Sequence, residues 1–279
     1  MAQIAHLLVA ADLASRAVYP LQRALQLKAE SHCQVTVLHV VEHGLTAHIR
    51  ERRIAEAREE LTRWKDGLPE FSQLALDIQI ACGDPFAGIL ERMDIDMPDL
   101  VIIGHPGKPN LKELFVGTTA ERVVRFADQP VLMVCQHPSG PYKRVLVAID
   151  FSHAAGRALE SVSRIAPGAE ILLVHAWQPP VRGGASDAQA ADRANQRLRE
   201  QEERQVRAII EQRSLGRHLS LEIVEDESEM AIRRALAHFN ADLLAMGTHS
   251  RSQLSTAMVG SLAQEFLASG PCDVLVVRG

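Results

Sequence analysis

Two glycine-bearing segments contain the residue types from which an anion cradle is built. In the first, Gly104-His105-Pro106-Gly107 is followed after nine residues by Gly117-Thr118-Thr119. In the second, Gly247-Thr248-His249-Ser250 is followed after nine residues by Gly260-Ser261. Glycines let the backbone turn tightly and approach a ligand closely. Consecutive amides in such a turn form a nest for an anion. A helix opening at Gly117 would add its unpaired first amides and its dipole, with Thr118 and Thr119 supplying hydroxyls. Each segment follows an apolar run led by an acid, Asp99-Leu100-Val101-Ile102-Ile103 and Asp242-Leu243-Leu244-Ala245-Met246. The alternative reading is a turn and a glycine-tolerant helix start with no ligand.

Other phosphate and nucleophile signatures are absent. Lys108 follows Gly107, but Ile102 stands where a P-loop needs its first glycine, and Pro109 follows the lysine. No GxGxxG follows the first strand signal, and no GxSxG is present. The four cysteines are far apart and form no CxxC pair, which indicates neither zinc nor a disulfide framework and suits a reducing cytoplasm. A net charge of −5 gives no footprint for nucleic acid or anionic membrane. No apolar stretch reaches the roughly 18 residues of a membrane span, and no secretory signal is expected.

The cradle segments belong to a longer repeat. Ile4 to Asp12 matches Arg144 to Asp150, and Val35 to Val40 matches Ile171 to Ala176. Val131–Val134 matches Val274–Val277, so order is kept while the offset drifts between 136 and 143 residues. The expected boundaries are residues 1–138 and 142–279, joined by Gln136-His137-Pro138-Ser139-Gly140-Pro141, rich in turn formers.

Within the first half, helices are expected at Ser15–Glu30 (with Pro20 kinking or delaying it), Thr46–Asp66, Phe86–Met93 and Gly117–Phe126. A half-buried strand is expected through Leu74, Leu76, Ile78 and Ile80. Gln178 to Asp187 reads as a loop, and the charged run Arg193 to Arg207 as a solvated helix face. Alternating strands and helices with continuous apolar strands give an α/β fold of two tandem, doubly wound, five-stranded parallel sheets. Such sheets take ligands beyond the carboxyl ends of their strands, so Asp12, Val40 and Gly104 should meet on one edge. His39 and His175, at equivalent strand ends, read as structural rather than metal-ligating. Asp12 and Asp150 either serve the site or simply terminate strands.

On these residues the whole chain resembles a tandem universal stress protein. The resemblance rests on Leu7-Leu8-Val9-Ala10-Ala11-Asp12 and Val145-Leu146-Val147-Ala148-Ile149-Asp150, on His39-Val40 and His175-Ala176, and above all on the glycine segments. The family's nucleotide-binding members share G-x2-G-x9-G-(S/T), which Gly104, Gly107, Gly117 and Thr118 satisfy. The resemblance implies ATP as ligand, with Mg or Mn as its accompanying ion. Ala11, Asp12 and Val40 would hold the nucleoside; Gly104, Pro106, Gly107, Gly117, Thr118 and Thr119 would hold the phosphates. It also implies a pseudo-dimer formed through the last strands within one chain, further homodimerisation being left open. Pro106 departs from the pattern because it lacks a backbone donor.

The second copy departs further. Ser250 replaces a glycine, and Glu225-Asp226-Glu227 stand where the first half has Cys82-Gly83-Asp84. The second half is therefore expected to bind nucleotide poorly or not at all. No catalytic or metal-ligating residue is assigned, and turnover is expected to be at most slow hydrolysis. Three readings compete: an ATP-binding stress-response or regulatory protein, a nucleotide-free scaffold with degenerate sites, and a nucleotide-dependent enzyme. Leu13-Ala14-Ser15 after Asp12 disfavours the third, for want of a catalytic signature there.

Overall fold

The computed structural model describes residues 3–13, 18–69, 74–105, 118–179, 188–212, 219–248 and 259–279. The first half runs β1 (His6–Ala10), α1 (Val18–Ser31), β2 (Gln34–Val41), α2 (Ala47–Asp66), β3 (Asp77–Cys82), α3 (Pro85–Asp96), β4 (Leu100–Gly104), α4 (Thr119–Phe126) and β5 (Val131–Val134). The second repeats that order as β6 (Arg144–Ala148), α5 (His153–Ile165), β7 (Glu170–Trp177), α6 (Ala188–Gln212), β8 (Leu219–Glu225), α7 (Ser228–Phe239), β9 (Leu243–Gly247), α8 (Ser261–Ser269) and β10 (Asp273–Val277).

The ten strands form one sheet in the order β3-β2-β1-β4-β5-β10-β9-β6-β7-β8. All neighbours are parallel except β5 and β10, which pair antiparallel with Leu132 opposite Leu275. The last strands thus join the halves within one chain, as the repeat implies, and neither is left as an open edge. In each half the winding direction reverses at the first strand, between β1 and β4 and between β6 and β9. A crevice opens at such a reversal, because successive crossovers leave toward opposite faces.

The apolar runs are buried on both faces. Leu7 and Val9 join a core under α1, α2, α5 and α6, while Leu8 packs under α3, α4, α7 and α8. Each core is continuous across the β5–β10 seam. The leading acids have matching structural tasks. Asp99 accepts the amides of Ala5 and His6 at 2.8 and 3.0 Å, and Asp242 accepts those of Lys143 and Arg144 at 2.8 and 3.2 Å. Each fixes the register of the first strand of its half against the fourth.

Element limits differ locally from the sequence reading. α1 is described from Val18, with Pro20 in its first described turn; residues 14–17 lie outside the description. β3 begins at Asp77 rather than Leu74. α3 starts at Pro85, where the missing amide costs nothing, with Asp84 accepting the Ala87 amide at 2.9 Å, and it continues to Asp96. α4 starts at Thr119 rather than Gly117, because Thr118 is its cap. The charged run lies on α6, whose described side chains are mostly solvated apart from buried Ala191 and Val206. Of the expected loop, residues 180–187 lie outside the description. The connecting segment is tied down: Gly140 and Pro138 carbonyls accept from Arg23 and Gln26 of α1. Tyr142 donates to Asp273 at 2.7 Å and lies under the Arg23 guanidinium. The four cysteines are free thiols.

Candidate nucleotide cleft

A cleft of about 880 Å³ opens at the β1/β4 reversal of the first half. Its floor is the carboxyl edge of β1, β2 and β4: Ala10 to Leu13, Leu38 to His43, Ile103 and Gly104. One wall is α2, through Arg53, Glu56, Ala57 and Glu60; the opposite end is the start of α4, through Thr118, Thr119 and Ala120.

Local structure explains why each group stands there. The Ala11 amide donates to the Leu38 carbonyl at 2.9 Å, and the Ala11 carbonyl accepts from His39 Nδ1 at 2.8 Å. Those two bonds lock the ends of β1 and β2 together and place Asp12 at the rim. The next residue, Leu13, has φ = 58°, a left-handed conformation that costs a non-glycine residue about 1 kcal/mol. Its counterpart after Asp150, Phe151, has φ = 62°. Both halves keep the same strained turn, which directs the chain sharply off the first strand.

At the other end, Thr118 Oγ accepts the Glu121 amide at 3.1 Å and caps α4. Helix geometry leaves the amides of Thr119 and Ala120 without an intrahelical acceptor, so two donors and the positive end of the helix dipole face the cleft. Glu121, buried beside this terminus, is neutralised by Arg125 at 2.8 Å. The cleft carboxylates Asp12, Glu42, Glu56 and Glu60 all lie toward the β1, β2 and α2 end. The two ends therefore differ in chemistry: amides and hydroxyls at one, and at the other carboxylates of which Glu56 and Glu60 are paired with Arg53 and Arg63.

Of the sequence-selected residues, Ala11, Asp12, Val40, Gly104, Thr118 and Thr119 all line this one cleft. Pro106, Gly107 and Gly117 lie outside the described residues. Sequence reasoning did not select Leu13, His43, Ala120 or the α2 wall. The signal available for the wall was the i,i+4 pair Ala57 and Leu61, the two buried residues of a helix otherwise largely solvated. Both histidines at the second-strand ends act as structural clamps: His175 Nδ1 reaches the Ile149 carbonyl at 2.7 Å, matching His39 and Ala11. Among the described residues no three His, Cys, Asp or Glu side chains converge to hold a metal.

The sequence pattern of the universal stress protein family matches residues 4–134 and again 141–278. The chain belongs to the universal stress protein family. A Thermus aquaticus member, named as the universal stress protein in the QAH/OAS sulfhydrylase 3′ region, is 30% identical over 139 residues, 49% of this chain and 99% of that protein. Universal stress protein MJ0577 of Methanocaldococcus jannaschii is 30% identical over 86 residues, covering 31% of this chain and 52% of the relative. The crystal structure of a universal stress protein from Archaeoglobus fulgidus superposes with a TM-score of 0.73 at 21% identity, over 99% of this chain and 97% of the other. That likeness shows the shared two-unit fold.

The second universal stress protein unit is organised differently at the matching place. Asp150 Oδ1 accepts the Ser152 amide at 3.0 Å, and Ser152 caps α5 through the Ala155 amide. Asp150 is thus a turn former, one of the two roles its type allowed. A Cβ on Gly247 would stand 2.6 Å from Ala154 Cβ and 3.2 Å from the Ala155 nitrogen. A Cβ on Gly260 would stand 2.6 Å from the Thr248 carbonyl oxygen, which already accepts the Gly260 amide at 2.7 Å. Two of the motif glycines in this half are required by backbone packing. His105, at the register of Thr248, turns toward the seam and contacts the Ala268 carbonyl of α8 at 3.2 Å. Of the acids Glu225, Asp226 and Glu227, the first and last are exposed and Asp226 pairs with Arg234 at 2.9 Å.

Proposed function

We propose that this protein is an ATP-binding member of its family with its principal nucleotide site in the first unit, residues 1–138, and a second unit, residues 142–279, that supports it. The observation that carries this reading is the polarity of the β1/β4 cleft. The α4 terminus, lined by Gly104, Thr118, Thr119 and Ala120, presents donors to an anion. Asp12, at the rim beyond β1, offers a carboxylate to ribose hydroxyls. The β2 end, lined by Leu13, Val40 and Leu45, offers apolar contact to a flat base. A nucleotide laid along this axis meets complementary chemistry at each part. A magnesium or manganese ion would enter with the phosphates, since no described carboxylate lines the α4 end of the cleft.

The ligand acts by favouring one conformation of the cleft and so changing what binds to the protein, with hydrolysis at most slow. The described part of the cleft holds no general base within the α4 end to activate water. The test is calorimetric titration of the apo protein with ATP, combined with mass analysis of small molecules released when freshly purified protein is denatured. Saturable binding at a single site per chain is expected. No released nucleotide together with no heat of ATP binding supports the nucleotide-free scaffold instead.

A further inference from the structure

The seam between the two units carries a pair of cysteines at one register. β5 and β10 run antiparallel with Leu132 opposite Leu275 and Met133 opposite Val274. Carried two residues beyond Met133, that register sets Cys135 opposite Cys272. The chain keeps to it past the last ladder pair. The Cys135 and Gln136 amides donate to Asp273 Oδ1 at 2.9 and 3.3 Å, and Gln136 Nε2 donates to the Pro271 carbonyl at 2.8 Å. Opposed residues of an antiparallel pair project on one face, with Cα atoms about 4.5–5.5 Å apart. A disulfide spans about 4.4–6.8 Å between Cα atoms. Both thiols accordingly face the core that holds Met133 and Val274. A Cβ on Gly270 would stand 3.2 Å from Cys135 Sγ, so the turn that ends α8 and leads into Cys272 closes over this sulfur. The other two cysteines lie elsewhere: Cys33 is in the opposite core, and Cys82 is exposed at the end of β3.

We propose that Cys135 and Cys272 are a thiol pair that a hydroperoxide oxidises to a cross-strand disulfide, stapling the two units at their seam. Cys135 is half-buried and Cys272 buried, so peroxide meets Cys135 first. The Cys135 thiolate attacks one peroxide oxygen, the O–O bond breaks, and the departing hydroxide takes up a proton as water. Cys135 is then a sulfenic acid. The Cys272 sulfur attacks the Cys135 sulfur, the S–S bond forms, the S–O bond breaks, and a second water carries off the Cys272 proton. Two thiols lose two electrons and two protons, and one peroxide becomes two waters. Burial first, and then the neighbouring Asp273 carboxyl, push both thiols up, Cys272 to about 12. The thiolate is therefore scarce at neutral pH and the reaction there is slow. The new bond closes a loop over residues 135–272 and so restricts the unfolded chain.

The test treats the reduced full chain with hydrogen peroxide at about pH 9, where more thiolate is present. Remaining thiols are then alkylated under denaturing conditions and tryptic peptides are mapped by mass. A peptide pair joined through Cys135 and Cys272 is expected, with the melting temperature raised by roughly 10 °C and returned by dithiothreitol. Cys135→Ala and Cys272→Ala should each melt at the same temperature before and after peroxide. Cys135 and Cys272 both still alkylated once exposed Cys82 is fully oxidised overturns the inference. So does either of them joined to Cys33 or Cys82, or Cys135 carried on to a sulfinic acid without a partner. A joined pair with an unchanged melting temperature overturns the stapling.

Discussion

The ends of β4 and β9 hold corresponding glycines of one repeated motif, and the two glycines have different neighbours. Gly104 borders the cleft, and among the described residues the nearest atom to a Cβ placed on it is Pro20 Cγ at 3.4 Å, an ordinary contact. Gly247 lies against the first turn of α5, with Ala154 occupying the space a side chain would need. The same residue type thus borders an open cleft in one half and packs against a helix in the other. A glycine motif alone does not distinguish these uses, because both need only the absence of a Cβ.

The contrast can be broken most sharply at Gly104. Gly104→Val should weaken ATP binding about tenfold or more, a loss of at least about 1.4 kcal/mol, with the melting temperature nearly unchanged. Calorimetry and thermal denaturation on the same preparation check it. Gly247→Ala should do the opposite, destabilising the fold by about 1–3 kcal/mol through overpacking and leaving ATP affinity intact. Gly260→Ala should also destabilise, by a similar amount, since the added methyl would meet the Thr248 carbonyl oxygen that accepts the Gly260 amide. If Gly247→Ala removed ATP binding and Gly104→Val did not, the site would belong to the second half.

A finer comparison concerns the strand-leading acids. Burial alone would raise the Asp99 carboxyl, but hydrogen bonds from Arg164 and from the Ala5 and His6 amides outweigh it and hold the group below its ordinary value. A depressed folded value means that the stabilisation is present above the unfolded carboxylate range and is lost as pH falls through the folded value. Asp99→Ala should cost about 1–3 kcal/mol at neutral pH, and the gap from wild type should close below about pH 4. Asp242→Ala removes the same pair of amide acceptors and should cost about 1 kcal/mol. Chemical denaturation at pH 7 and pH 3 checks both values. Equal losses at pH 7 would show that the 2.6 Å Arg164–Asp99 pair adds nothing.

Much of this architecture was legible because its signals are local. Leu100–Ile103 and Val131–Val134 are continuous apolar runs, and a strand buried on both faces needs no more. Pro85 after Asp84 announced the start of α3 by the chemistry of a helix terminus. The meeting of Asp12, Val40 and Gly104 followed from topology, since parallel strands put their carboxyl ends on one edge. What the sequence hid were relations between distant side chains. The contact of Glu202 with His175 is set only when α6 is placed over β7. The demand of Gly247 for an empty Cβ position comes from Ala154, which lies more than ninety residues earlier. The task of Asp99 and Asp242 was likewise invisible, although their place ahead of each strand was plain, because their partners are amides of another strand.

The antiparallel union of β5 with β10 has a genetic consequence. Were such a pair assembled from two identical chains, every amino-acid change would appear in both copies at once. A residue like Ala154, packed where Gly247 has no side chain, would then stand in both copies. Joined in one polypeptide, the copies can drift separately. Each copy then carries its own version of the motif, Gly104 beside a cleft and Gly247 against α5, in a ratio fixed at translation.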